Sequence, residues 1–322
     1  MKAAVHTRYG SPDVVEVKQV EKPCPKDDEI LIKVHAASIN DFDWGIISGK
    51  PYFIRIFLGL FKPKIQISGC DIAGQVEAVG KDITQWQTGD GVYGDLSGGR
   101  FGGFAEYVCC KENQVAQKPA SMSYIEAAGI PQAAVLAWQG LTVNGPLQDG
   151  QQILINGAGG GVGTYGVQLA KQKDIEVTGV DSAEKLDSMR SVGFDQVIDY
   201  KKEDFTRSGK QYDLILDTKT NRGPFAYTRA LKPNGLYATV GGSMPHYLTV
   251  GIMGPVLSWF TGKKLKVIAL KPNFGLDYFN QLFEAGEFKS AIDGPYKFDD
   301  LVEALHYYVR AEHKGKIIIT MD

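Results

Sequence analysis

Apolar positions recur along the chain in three different rhythms. Up to about residue 120 they form short β-prone runs, at 14–20, 30–36, 72–79 and 105–108. Gly69, Gly74, Gly80, Gly89, Gly91, Gly94 and the Gly98-Gly99 pair punctuate these runs, and strands so closely spaced by glycine predict a small barrel. Beyond Pro119, apolar strands alternate with helical stretches. Strands are expected at 152–156, 176–180, 196–199, 214–217, 236–240 and 265–269, and a helix at 162–172. Ser182 suits the N-cap of a further helix and Gly193 its stop. Alternation at this spacing predicts an α/β fold with a doubly wound parallel sheet. Past Lys271, residues 276–285 and 301–309 carry amphipathic helical patterns, and 316–320 reads as a closing strand.

Composition narrows the partners. A chain of 322 residues is long enough for two domains, each with its own core. It is 43% apolar and 22% charged, with 35 basic against 37 acidic side chains. That balance points to neither a nucleic-acid partner nor an anionic membrane surface. The most apolar stretch, 52–61, is too short to span a bilayer and contains Arg55, so no membrane insertion is expected. The first residues, Met1-Lys2-Ala3-Ala4-Val5-His6, lack an apolar signal core. Cys24, Cys70, Cys109 and Cys110 show no C-x-x-C spacing and read as reduced thiols of a cytoplasmic protein.

The strongest local signal for chemistry is Gln152-Ile153-Leu154-Ile155-Asn156-Gly157-Ala158-Gly159-Gly160-Gly161-Val162-Gly163. An apolar strand runs through glycines into a helix. The dinucleotide fingerprint falls on Ala158, Gly160 and Gly163, with Ala in the first glycine's place. Gly160 lets the backbone approach a pyrophosphate, Gly163 lets helix pack on strand, and the helix-start N–H groups face the phosphates. Asp181 ends the next expected strand. It suits the ribose hydroxyls of NAD and repels a 2′-phosphate, whereas Ser182, Lys185 and Tyr200 offer a charge and two hydroxyls to that phosphate. These residues leave NADH and NADPH both open.

Several blocks in order resemble the medium-chain dehydrogenase/reductase superfamily, in particular its zinc-free, quinone oxidoreductase-like branch. They are Ile32-Lys33-Val34-His35-Ala36-Ala37-Ser38-Ile39-Asn40 with Asp43, Gly69-Cys70-Asp71-Ile72-Ala73-Gly74, Val76-Glu77-Ala78-Val79-Gly80, Gly102-Gly103-Phe104-Ala105-Glu106-Tyr107, the glycine turn with Val167-Gln168-Leu169-Ala170-Lys171, and Gly315-Lys316-Ile317. The likeness covers essentially the whole chain. It implies a GroES-like catalytic domain over 1–122, completed by 272–322, and a Rossmann domain over 123–271. It also implies a cofactor cleft, a homodimer, and NADPH as the usual cofactor, with Lys185 and Tyr200 at the 2′-phosphate. The expected cofactor-binding set is Ala158, Gly159, Gly160, Gly161, Val162, Gly163, Asp181, Ser182, Lys185, Tyr200, Val240, Gly241, Gly242 and Lys316. A family position that is usually Thr is Leu136 here.

Zinc enzymes of this superfamily carry Cys and a His-Glu pair where this chain has Asn40, Cys70 and Asp71. That set does not suit zinc, so a metal-free reductase of quinones or α,β-unsaturated carbonyls is expected, acting on a hydrophobic small molecule. Asn40 is the candidate orienting donor and Tyr52 the candidate proton donor; Asp43 is read as structural. Equally, Asn40 caps a turn and Tyr52 lines a wall. The apolar segments 52–58 and 253–260 are read either as a substrate lid or as core or dimer packing. The alternatives in function are a zinc-free alcohol or aldehyde dehydrogenase and a catalytically quiet dinucleotide-binding protein.

Overall fold

The structure is a computed structural model and describes residues 1–321. In chain order the elements are β1 (Lys2–His6), β2 (Val15–Gln19), β3 (Glu29–Ser38), α1 (Asp41–Ser48), α2 (Arg55–Leu58), β4 (Asp71–Val79), β5 (Gly91–Asp95), β6 (Tyr107–Lys111), β7 (Ala116–Gln117), α3 (Tyr124–Gly129) and α4 (Pro131–Thr142). Then follow β8 (Gln152–Asn156), α5 (Gly161–Ala170), β9 (Glu176–Asp181), α6 (Leu186–Ser191), β10 (Gln196–Asp199), β11 (Tyr212–Asp217), α7 (Pro224–Ala230), β12 (Leu231–Thr239), α8 (Met244–Thr261) and β13 (Lys264–Val267). The last are α9 (Leu276–Glu284), β14 (Ile292–Lys297), α10 (Leu301–Val309) and β15 (Lys316–Thr320). The chain divides into two compact units: Met1–Gln132 together with Lys271 onward, and Ala133–Leu270. The division thus falls ten or so residues beyond the expected residue 122.

The first unit holds a seven-stranded sheet in the order β14-β15-β3-β4-β5-β7, with β6 also on β3, and a separate β1-β2 pair. The expected small barrel is this sheet, whose outer strands β14 and β7 each have one partner. β3 and β15 are inner strands, which is why Ile30, Ile32, Ile318 and Ile319 are buried. Register places Ser38 opposite Asp71 on one side and Ile318 on the other. Three distant pieces of sequence therefore meet at one end of β3.

The second unit is a six-stranded sheet in the order β10-β9-β8-β11-β12-β13, parallel throughout. This order is that of a dinucleotide-binding Rossmann sheet. Ile153, Leu154 and Ile155 are wholly buried, as central strands covered on both faces require. The register aligns Asn156 with Val180 and Asp217, Asp217 with Thr239, and Asp181 with Asp199. The carboxyl ends of the strands thus form one polar edge.

Two expectations shift. The strand expected at 105–108 lies at Tyr107–Lys111, because residues before it turn back to bond Lys2 and Ser68. The stretch 253–260 belongs to α8, an 18-residue helix. Ser182 is an N-cap, of the short turn Ala183–Lys185, and makes no side-chain cap bond. Gly193 ends α6 with φ +111.

Ile318 on inner strand β15 is 0% exposed and Ile252 on α8 is 75% exposed. Ile318→Ala is expected to destabilise the first unit by about 2–5 kcal/mol in urea unfolding. Ile252→Ala is expected to move stability by less than about 0.5 kcal/mol.

Candidate functional site

The glycine turn of the second unit joins β8 to α5. Its left-handed residue is Gly157, at φ +80, and a Cβ there would sit 2.0 Å from the Thr218 hydroxyl. Gly157, one position before Ala158, therefore makes the tight turn. Ala158 is buried beneath it. A Cβ on Gly163 would lie 2.3 Å from the Ala158 carbonyl oxygen, so helix–strand contact requires glycine. Gly160 is the N-cap of α5. Gly161, Val162 and Gly163 start the helix, where N–H groups lack intrahelical acceptors. This backbone fits a pyrophosphate.

Asp181 lies beside this turn. One carboxylate oxygen accepts from the Gly159 N–H at 2.9 Å, and the other from the Ser182 N–H at 2.9 Å. The Lys185 ammonium is 3.8 Å from Asp181, with both side chains almost fully buried. The lysine stem crosses Gly159, where a Cβ would meet Lys185 Cδ at 2.6 Å. Tyr200 donates its backbone N–H to the Asp181 carbonyl at 3.1 Å, and its side chain is half exposed. Asp181, Ser182, Lys185 and Tyr200 are thus brought together, with Asp181 bracing the glycine turn.

Further along the same edge, Asp217 is a carboxylate the sequence reading missed. It accepts from Asn156 Nδ2 (2.8 Å), the Lys219 N–H (2.8 Å), the Thr220 N–H (3.0 Å) and the Tyr237 hydroxyl (2.8 Å), and is wholly buried. Thr220 donates to the Gly241 carbonyl at 2.5 Å, and Val240 bonds the Asp217 carbonyl through its N–H. A Cβ on Gly242, φ +118, would collide with the Lys219 carbonyl at 2.0 Å. This web fixes the Val240-Gly241-Gly242 turn. An acidic residue closing an apolar strand, as at Asp181, was the available signal. Leu136, in α4, is partly buried.

In the first unit Asn40 is the N-cap of α1 and is 6% exposed. Its backbone N–H bonds Asp43, and Asp43 also accepts from the Gly69 N–H. Its amide nitrogen donates to Asp71 at 3.0 Å, and its amide oxygen accepts from the Lys316 ammonium at 2.6 Å. Lys316 also donates to the Ile39 carbonyl at 3.2 Å and lies 3.5 Å from Asp71. Asp71 further accepts from the Ser38 hydroxyl and from the Gln132 backbone N–H. Lys316 is thus buried beside Asn40, in the same cluster as Asp71 and Asp43. Tyr52 is not part of this cluster. It is 66% exposed, its ring against the Arg55 guanidinium.

Burial pushes Asp71 up to about 7, a rise reinforced by Asp95 and Asp43 and opposed by Lys316 and the Asn40 amide. Burial likewise raises Asp43 to about 6, against the hydrogen bond from Cys70 and the two backbone N–H donors. Cys70 is itself driven well above the ordinary thiol range by burial and the three neighbouring aspartates. Among the described residues no group of three His, Cys, Asp or Glu could hold a metal ion. None of their helices is long and apolar enough to cross a membrane. The apolar segments 52–58 and 253–260 each expose large side chains in their own unit, Phe57 at 75% and Trp259 at 81% among them. Those side chains are not core.

Two family models match, the alcohol dehydrogenase GroES-like domain over residues 26–120 and the zinc-binding dehydrogenase domain over 192–319. The chain is 34% identical to a 2-methylene-furan-3-one reductase of Solanum lycopersicum, covering 99% of this chain and 79% of the relative. The chain belongs to the medium-chain dehydrogenase/reductase superfamily, quinone oxidoreductase-like branch. It is also 31% identical to an NADPH-dependent alkenal/one oxidoreductase, chloroplastic, of Arabidopsis thaliana, over 99% of this chain and 79% of the relative. The solved structure of a quinone oxidoreductase from Coxiella burnetii superposes with a TM-score of 0.87 at 26% identity, covering 100% and 99% of the two chains.

A carboxyl whose pKa is raised on folding stabilises below its unfolded pKa, and that stability is lost as pH rises through the folded pKa. Asp43, raised from 3.8 to about 6, therefore weakens the first unit as pH climbs across that window. Between those values the slope of the unfolding temperature against pH should be more positive in Asp43→Asn than in the unsubstituted protein. An unchanged slope would show that Asp43 ionises as readily folded as unfolded.

Proposed function

We propose that the chain is an NAD(P)H-dependent oxidoreductase that reduces quinones or α,β-unsaturated carbonyl compounds, with NADPH preferred. The observation that carries this reading is the neutral Asn40 amide held between the Asp71 carboxylate and the Lys316 ammonium. A divalent cation on Asn40 and Asp71 would stand against that ammonium, like charge beside like charge. The centre instead suits a reaction that needs an oriented hydrogen-bond donor.

A reduced nicotinamide bound at the second unit supplies a hydride to the acceptor. The first-turn N–H groups of α5 with Gly159 and Gly160 would hold the pyrophosphate. Lys185, Ser182 and Tyr200 would hold a 2′-phosphate, Asp181 the remaining ribose hydroxyl, and Val240-Gly241-Gly242 the nicotinamide half. Asn40 donates one amide hydrogen to Asp71, and its second is the donor assigned to the oxygen that gains charge. Lys316, expected on the cofactor, acts through Asn40 by fixing which way the amide points. Protonation of the reduced product falls to the exposed Tyr52 hydroxyl or to water.

The outer strand β13 leaves one side of the second unit's sheet unpaired by any further strand among the described residues, which supports a homodimer. The free cysteines, three of them buried, support a reducing compartment such as the cytoplasm.

NADPH consumption measured against a panel of quinones and enones is expected to show turnover that EDTA leaves unchanged; no turnover with any acceptor would sink the reading. Lys185→Ala is expected to raise KM for NADPH about tenfold and leave that for NADH in place. Equal effects on the two cofactors would remove Lys185 from the 2′-phosphate. Asn40→Ala is expected to lower kcat by about a hundredfold with the best acceptor.

A further inference from the structure

Two exposed charges, Glu184 and Lys201, flank the expected ribose end of the cofactor site. Residues Ala183–Lys185 form a single turn with Ser182 at its N-cap. Within that turn Lys185 is 3% exposed, while Glu184 stays on the outside. The Tyr200 N–H bonds the Asp181 carbonyl at 3.1 Å, and β9 and β10 run parallel with Asp181 opposite Asp199. Lys201, two residues beyond that register pair, is therefore brought alongside the start of the turn. Its backbone N–H bonds the Asp199 carboxylate at 3.0 Å.

The charges here answer one another. Asp181 accepts from the Gly159 and Ser182 N–H groups and has the Lys185 ammonium 3.8 Å away, so the buried lysine faces a carboxylate of its own. The Glu184 carboxyl is held below its usual range by its own backbone N–H, by the Ser182 hydroxyl and by the charges of Lys201 and Lys185. Ser182 and Lys185 are two of the three groups expected on a 2′-phosphate. An anionic side chain of the protein thus stands among them. A phosphate monoester carries about −1.5 to −2 near pH 7. With Asp181 set against Lys185, that charge would meet Glu184 as a competitor and Lys201 as the cation left to receive it.

We propose that Glu184 and Lys201 set the choice between NADPH and NADH, the Glu184 carboxylate standing in the anion position until a 2′-phosphate displaces it and takes over Ser182 and Lys201. The inference rests on the dinucleotide placement proposed above and adds a competitor to it. Glu184 lies on an exposed turn, so its side chain has water to rotate into. The 2′-hydroxyl of NADH carries no charge, and the carboxylate need not leave for it. The advantage of NADPH is then a difference, attraction to Lys201 and Lys185 less the contacts that Glu184 gives up. A cradle of cations alone would separate the two cofactors far more widely.

The test is isothermal titration of the full chain with NADPH, NADH, 2′,5′-ADP and 5′-AMP, which needs no acceptor. Glu184→Gln keeps the shape of the side chain and removes its charge. It is expected to tighten NADPH and 2′,5′-ADP about fivefold and to move NADH and 5′-AMP by less than about twofold. Lys201→Ala is expected to weaken NADPH and 2′,5′-ADP about fivefold, again sparing the other two. Opposite shifts confined to the phosphorylated ligands cannot come from misfolding, and circular dichroism checks both variants. An NADPH-to-NADH affinity ratio that Glu184→Gln leaves unchanged or lowers would overturn the proposal, as would one that Lys201→Ala leaves unchanged. Binding of none of the four ligands would remove the dinucleotide site itself, and this inference with it. Intact, variant-sensitive binding with no turnover of any quinone or enone would sink the reductase reading alone and uphold the roles of Glu184 and Lys201.

Discussion

A lysine ammonium shut away from water beside a carboxylate imposes conditions on everything near it. Lys316 and Asp71 are almost wholly buried and 3.5 Å apart, and neither charge is tolerable there alone. Removing one partner of such a pair costs about 3–5 kcal/mol, because the other is left stranded. The remaining hydrogen-bond capacity of both groups is taken up by Asn40, Ser38, the Ile39 carbonyl and the Gln132 N–H. The strand register of β3, β4 and β15 is what delivers these atoms. A one-residue slip would turn each side chain to the other face. The same constraint sets the chemistry: an amide with a cation at its oxygen and an anion at its nitrogen has one orientation.

The second unit solves a related problem without a counter-charge. Asp217 is just as buried, yet its donors are an amide, two backbone N–H groups and a phenol. Four neutral donors spread the negative charge and, in doing so, bind the ends of β8, β11 and β12 into one edge. Asp181, which has the Lys185 ammonium 3.8 Å away, braces the glycine turn through two backbone N–H donors. The rigidity of the expected cofactor platform thus rests on carboxylates that are bonded to the protein's own donors.

Much of the fold was legible because apolar runs are a local signal. The strands at 152–156, 196–199 and 316–320 and the helix at 301–309 appear at their expected bounds. α8 was not read as a helix. It lacks the polar stripe that gives an amphipathic helix its period, and Gly251, Gly254 and Pro255 argue locally against one; docking on β13 and α7 overrides them. Among site residues, the glycine turn and Asp181 were visible through spacing. The role of Gly157 was not, since a left-handed φ is set by where the next strand lies. The partnership of Asn40 and Lys316 spans 276 positions, and that of Asn156 and Asp217 spans 61. No window on the sequence contains either pair.

The placement of β15 also bears on the order in which the protein can assemble. This strand follows every other described element in chain order, yet it lies inside its sheet, between β14 and β3. The second unit comes from one uninterrupted stretch, Ala133–Leu270, so it can close while the nascent chain is still growing. The strands of the first unit, though synthesised earlier, must wait with the edge of β3 open until Lys316–Thr320 arrives. Strands laid down before the second unit are therefore completed only after it, and in the interval their exposed edge is the place where a chaperone, or a wrong partner, would find the chain.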